Sequence, residues 1–172
     1  MSIRRLGPGD AEAFRALRLE ALREAPEAFG EDHAEASAKT DLDFANRLEM
    51  GDNFGAFSGG ELVGILLYMR EVGVKIGHRA FLMSVYVQPA HRGTGLASDL
   101  LGAALGLARE SGVAQLELYV SSAAPRAQAF YARHGFVQVG VSPRALRVNG
   151  SYHDERHMML RLDALEGDAP GG

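Results

Sequence analysis

Gly93 and Gly95 flank Thr94, directly after Arg92 and directly before an apolar-periodic run that opens Leu96-Ala97-Ser98. Residues of these types at this spacing build an anion site. Glycine has no Cβ to hold a ligand off the backbone, and the first turn of the helix that must follow leaves its N–H groups without intrahelical partners. The helix dipole adds a partial positive charge and Arg92 a full one, so the expected guest is a phosphate or pyrophosphate. A Walker A loop is excluded, because it needs Lys-Ser/Thr after its last glycine, where this chain has Leu96-Ala97. A dinucleotide fingerprint wants Gly-x-Gly-x-x-Gly near the first strand, with an acidic ribose partner about twenty residues on. The spacing Gly93-x-Gly95-x-Ala97, deep in the chain, fits that poorly.

A second block follows downstream. Ala127-x-x-Phe130-Tyr131-x-x-x-Gly135-Phe136 puts a phenol on one helical face with Ala127 and His134, ahead of a glycine stop. In this order the two blocks resemble the GNAT (GCN5-related N-acetyltransferase) superfamily. Its acyl-CoA signature, Arg/Gln-x-x-Gly-x-Gly/Ala, is met by Arg92, Gly95 and Ala97, and Val85-Tyr86-Val87-Gln88-Pro89 is similar to the strand that leads into it. The run 19–29 also resembles the opening helix of many members, which forms part of the acceptor's wall.

The resemblance implies an α/β (α+β) fold, a mixed and mostly antiparallel sheet flanked by helices. It implies an N-acetyltransferase that moves acetyl from acetyl-CoA to a primary amine by direct attack in a ternary complex. The strands ending at Val87 and Val120 would splay, freeing backbone groups to bind pantetheine as another strand would. Carried over residue by residue, acetyl-CoA would meet Val85, Tyr86 and Val87 on the strand, then Arg92, Gly93, Thr94 and Gly95 in the turn. Leu96, Ala97 and Ser98 would follow at the helix start, with Ser122 and Tyr131 beyond. The N–H near Val87 would hold the thioester oxygen as charge develops there.

Tyr131 is the expected general acid, beside the CoA sulfur in the family. A phenol near pKa ~10 facing a thiol near ~8.5 makes full transfer uphill by about 2 kcal/mol, yet a hydrogen bond to the leaving sulfur stays available. The plainer alternative is that Phe130-Tyr131 only packs the helix on the core. The general base is not placed: where many members carry a glutamate, this chain has Leu82-Met83-Ser84. Glu117 either acts through water or faces solvent on its strand. A missing base favours a low-pKa amine, since at pH 7 an α-amine near ~8 is about 10% neutral and a lysine amine near ~10.4 only ~0.04%. Ala124 stands where an asparagine often holds the pantetheine arm; Ser121 or Ser122 either replaces that contact or caps the next helix. These departures would also suit a non-catalytic module that binds acyl-CoA. His153, Glu155 and His157 share a strand face, but without further ligands no metal is expected. His91 reads as an exposed turn residue.

The elements around these residues are those of a single ordinary domain of 172 residues, expected over 1–165 with a flexible tail at 166–172. Composition is that of a soluble globular protein, 47% hydrophobic and 23% charged, with no apolar run long enough to span a membrane and no signal-peptide core after Met1, so a cytoplasmic location is expected. The chain has no cysteine, so a thiol nucleophile and thiolate metal ligands are excluded. Net charge is −4 with no basic cluster, which argues against nucleic acid as a partner. Expected helices cover 11–25, N-capped by Asp10, then 41–50, the run from Leu96 to a stop at Gly112, and the run from Pro125 to a stop at Gly135. Glu27, Glu31, Asp32 and Glu35 either hold a cationic amine or form a solvated face. Expected strands cover 2–6, a hairpin at 54–57 and 62–69, then 80–87, 115–120, 136–141 and 152–162. Antibiotic, polyamine, amino acid and protein N-terminus all fit as acceptor, and a homodimer is compatible with the resemblance.

Overall fold

The computed structural model describes residues 1–163, so the tail expected at 166–172 and the last residues of the expected domain lie outside the described residues. Strand β1 (Ser2–Arg5) leads through a 3-10 turn into α1 (Ala11–Glu24), whose buried Phe14, Leu17, Arg18, Ala21 and Leu22 recur at helical spacing. Asp10 takes the N-cap position of α1 expected from the sequence, but its side chain does not bond the helix's first N–H groups. It turns back to accept from the Gly7 N–H at 3.0 Å and from Arg4 at 2.7 and 2.8 Å, closing the 3-10 turn.

The acidic segment after Pro26 holds a helix that its sequence does not announce, α2 (His33–Ser37), N-capped by Asp32 through the N–H groups of Ala34 and Glu35. Helix α3 (Asp41–Glu49) opens on a capping box between Thr40 and Asp43. Strands β2 (Asp52–Ser58) and β3 (Glu61–Arg70) form the expected hairpin, turning on Gly59 and Gly60. Strand β4 (Arg79–Val87) and helix α4 (Leu96–Glu110) bracket the glycine turn. Strand β5 (Gln115–Ser121), helix α5 (Pro125–Arg133), β6 (Val137–Val148) and β7 (Ser151–Arg161) complete the chain. β6 outruns the expected end at Val141. A bulge around Arg144 (φ +52) takes up the interruption at Pro143, and the Arg144 N–H donates to Asp154 at 2.9 Å instead of to the ladder.

The seven strands among the described residues form one sheet, in the order β1-β2-β3-β4-β5-β7-β6, antiparallel except for the parallel pair β4–β5. Each face buries its own core. Val63, Leu66 and Tyr68 of β3 point with Leu82, Leu118 and Val120 toward Leu96, Leu100 and Ala104 of α4. Leu62, Ile65 and Leu67 point the other way, toward Phe14 and Leu17 of α1 and Phe44 of α3. The near-continuous apolar run of β3 follows from this, because a strand covered on both faces has no solvent side.

Candidate active site

The parallel pair joins β4 to β5 at three residue pairs only: Arg79, Ala80 and Phe81 face Gln115, Leu116 and Glu117. Beyond Phe81 and Glu117 the two strands part, while β4 stays paired with β3 and β5 with β7. The Gln88 N–H donates to the Val63 C=O at 2.9 Å, which makes Gly64 and Val87 a non-hydrogen-bonded pair. In such a pair the backbone groups point away from each other, so the N–H and C=O of Val87 are directed into the gap. The splay expected from the resemblance is therefore present, with a main-chain edge on its β4 side.

At the open end lies the glycine turn. Gly93 (φ +77) and Gly95 (φ +92) are both left-handed, a region that L side chains enter at a cost of about 1–2 kcal/mol, and a Cβ on either would meet nothing within 4 Å. Gly95 is the N-cap of α4 and has no side chain to occupy the helix's first N–H groups. A cavity of about 260 Å³ is lined here by Val87, Arg92, Gly93, Gly95, Leu96, Ala97 and Ser98, together with Phe130 and Arg133 of α5. Thr94 folds the turn inward by donating to the His91 C=O at 2.6 Å. Ser98 pins the two sequence blocks together. His134 places its Nδ1 on the Phe130 C=O at 2.8 Å, which can only accept, so its Nε2 takes the Ser98 hydroxyl at 3.1 Å.

The guanidinium of Arg92 has partners of its own. Its Nε donates to the Val87 C=O at 3.0 Å and its Nη2 to Glu24 of α1 at 2.7 Å. Tyr86 turns its ring to the α1 side of the sheet, where its hydroxyl donates to Glu20 at 2.8 Å and to Glu24, so its side chain does not line the cavity. Burial and those two carboxylates push the phenol pKa up. Neither Ser121 nor Ser122 caps α5, whose N-cap is Ala124. The Ser121 hydroxyl accepts from the Ala123 N–H at 3.2 Å, and Ser122 is exposed.

Tyr131 lies in the α4-side core at 8% exposure, edge-on to Phe130 and Phe136, and its hydroxyl makes no hydrogen bond among the described residues. Burial raises its pKa above the ordinary phenol value, which makes full proton transfer harder than the sequence alone implied and leaves hydrogen-bond donation as the chemistry its position permits.

On the opposite face the acidic segment turns inward. Glu31 accepts from Arg18 at 3.0 Å, Arg47 at 3.1 Å and Lys39 at 2.5 Å; burial works against its ionisation, but these bonds hold its pKa at about 2. Arg18, stacked over Phe29, also donates to the Ser84 hydroxyl at 2.8 Å, at a bulge where Ser84 takes φ +53. A cleft of about 310 Å³ runs from Phe29, Glu31 and His33 to residues 145–149 of the β6–β7 hairpin.

Glu117 does not face solvent, which corrects one of the two sequence readings. It is 1% exposed and accepts from Arg79 at 2.5 and 3.0 Å, Gln115 at 2.6 Å and His157 at 2.7 Å. Burial raises its pKa less than these bonds lower it, and the carboxyl sits at about 2. Among the described residues no three His, Asp or Glu side chains converge as metal ligands, and no helix is long and apolar enough to cross a membrane.

Residues 15–136 match the family model described as the acetyltransferase (GNAT) family. An uncharacterised N-acetyltransferase of Mycobacterium tuberculosis is 35% identical over 80 residues, 46% of this chain and 49% of that one, so the chain spans about half the length of the curated relatives it matches. An acetyltransferase of the GNAT family from Streptococcus pneumoniae superposes with a TM-score of 0.83 at 24% identity, over 94% of this chain and 99% of that one. A putative acetyltransferase of Salmonella typhimurium, solved with its cofactor acetyl-CoA, gives 0.80 at 23% identity over 99% and 98%. At these identities the likeness speaks to the fold alone.

Proposed function

This chain belongs to the acetyltransferase (GNAT) family, and from that premise we propose that it is an N-acetyltransferase, moving acetyl from acetyl-CoA to a primary amine by direct attack in a ternary complex. The observation that carries the reading is the gap between β4 and β5, edged by the Val87 backbone and opening at its wide end onto the N-terminus of α4. A pantetheine arm takes the place of a missing strand there, its amides pairing with the freed main chain. The pyrophosphate rests on the N–H groups that follow Gly95. The N–H of Val87, fixed by its pairing to β3, stands ready to hold the thioester oxygen as it gains charge. Arg92 acts in the first instance by fixing the Val87 carbonyl and bracing the turn against Glu24. Tyr131 donates a hydrogen bond to the departing sulfur. With no cysteine in the chain, no thioester on the enzyme intervenes.

The test is calorimetric titration with acetyl-CoA, followed by thiol release measured with a panel of primary amines of graded pKa. Gly95→Trp fills the open cradle and should abolish acetyl-CoA binding while far-UV circular dichroism stays that of the parent; unchanged affinity would remove the site. A non-catalytic acyl-CoA module is the second reading, favoured by Ala124 and by Met83-Ser84 where a carboxylate would stand. It predicts binding without thiol release for any amine.

A further inference from the structure

We propose that His157 is the general base that takes the proton from the acceptor amine, and that Glu117 is the positioning residue that holds its imidazole in the competent tautomer. The inference rests on the acetyltransferase reading above.

An amine that attacks a thioester in the β4–β5 gap must approach from one face of the sheet. The face under α4 is closed, because Leu82, Val87, Leu118 and Val120 are packed there against Leu96 and Leu100. Alternation along the strands puts Phe81, Tyr119 and His157 on the other face. Phe81 and Tyr119 stack across the point where β4 and β5 part, with ring centroids 6.3 Å apart and planes 5° from parallel. Tyr119 stacks in turn on His157 at 4.6 Å. The row runs from β4 across β5 to β7, two strand spacings or roughly 10 Å, so the imidazole is linked to an amine in the gap by a chain of more than one water.

The hydrogen bonding selects the tautomer. Nε2 of His157 lies 2.7 Å from a Glu117 carboxylate that is ionised and can only accept, so Nε2 carries the proton and Nδ1 keeps the lone pair. Nδ1 has no partner among the described residues, and the ring is one-quarter exposed while Glu117 is sealed. Charge balance does not require this arrangement, since Arg79 already meets both carboxylate oxygens. On this side of the molecule Glu31 is engaged with three cations, Glu20 with Tyr86 and Gln88, and Glu24 with Tyr86 and Arg92, whereas Glu155, on the same face of β7, has no hydrogen bond among the described residues and its pKa is raised by burial. The groups that face His157 are Glu117 and Tyr119 on β5, Arg79 on β4 and Glu155 on its own strand; Gly140, its partner on β6, brings no side chain.

In the step itself Nδ1 accepts, through that water chain, one proton from the ammonium form of the acceptor. The freed lone pair forms the N–C bond to the thioester carbonyl carbon while the C=O pair moves to oxygen. When that pair returns, the C–S bond breaks with its electrons on sulfur, and the second amine proton passes to sulfur. The products are the N-acetyl amine and the CoA thiol, and His157 returns its proton to water.

The experiment pairs His157→Ala and His157→Gln with the parent, using the panel amine that the parent turns over fastest. Both variants should bind acetyl-CoA within about twofold of the parent and lose roughly 100-fold or more in kcat. Added imidazole should restore part of the His157→Ala rate, and the acid limb of the parent's kcat–pH profile should be absent from His157→Gln. Long-range ¹H–¹⁵N correlation of the parent should show the proton on Nε2. A kcat within threefold of the parent, a loss that imidazole does not relieve, or a proton on Nδ1 overturns the base while leaving the acetyltransferase reading in place. A parent that does not bind acetyl-CoA overturns both.

Discussion

Tyr131 has its hydroxyl unpaired in an apolar setting, its pKa raised by burial, so its use to the reaction is as a donor that is never fully deprotonated. Tyr131→Phe keeps the ring packing against Phe130 and Phe136 and removes only the oxygen. It should lower kcat by about tenfold, the worth of one hydrogen bond to a charged group, with acetyl-CoA affinity unchanged; rates equal to the parent's in steady-state assay would end the acid role. The spacing of Arg92, Gly95, Ala97 and Tyr131 was legible from the chain alone, because backbone turns and helix starts are local. What each charged group does with its charge was not. Arg92 meets Glu24, Arg18 meets Ser84 and Glu117 meets Arg79 and His157, and every one of these partners lies far along the sequence on another element. Read as Gln115-x-Glu117-x-Tyr119, β5 shows the alternation of a half-exposed strand, and only the row of β4 and β7 side chains beside it shows that Glu117 is sealed.

Among the elements, the long ones announce themselves and the short ones do not. α4 and α5 carry their apolar stripes and their glycine stops in the sequence, whereas α2 has five residues, too few for a period, and exists because Asp32 satisfies its first N–H groups. Asp10 holds the N-cap position of α1 as its place in the sequence suggests, but its carboxylate does not do the capping, because Arg4 and the Gly7 N–H hold it first. The bulge at Ser84 and the parting of β4 from β5 left no mark in composition, since both depend on register with a neighbouring strand. Caps act at this scale and can be measured there. Thr40→Ala removes the side-chain acceptor for the Asp43 N–H and should cost about 1 kcal/mol, seen as a fall in Tm of ~2–4 °C without change in acetyl-CoA affinity.

Across the whole molecule, Glu31 and Glu117 tie α1 to the acidic segment and the outer strands to β4. Both have folded pKa values of about 2 against an ordinary 4.5. Depressed carboxylates stabilise the fold above the unfolded value and lose that contribution as pH falls, so stability should drop between about pH 4.5 and 2. For the sealed Glu117 the linkage is on the order of 3 kcal/mol. In Glu117→Gln, urea titrations across that window should show a shallower acid slope than the parent's; an unchanged slope would mean that the pair is not held in solution. Saturation with acetyl-CoA at 100 times its Kd should add about 2.7 kcal/mol, read as a rise in Tm.

The three pairings between Arg79–Phe81 and Gln115–Glu117, with the Ala114 and Gln115 N–H groups donating to the His78 C=O just ahead of them, are the main-chain stitching that joins the first four strands to the last three among the described residues. A bound thioester carrier would extend that seam along its whole length, so the guest would serve as mortar as well as fuel. Deuterium uptake at the amide of Val87 would then be fast in the empty protein and slow in the loaded one, and the two halves of the molecule would breathe apart between turnovers and lock together during them.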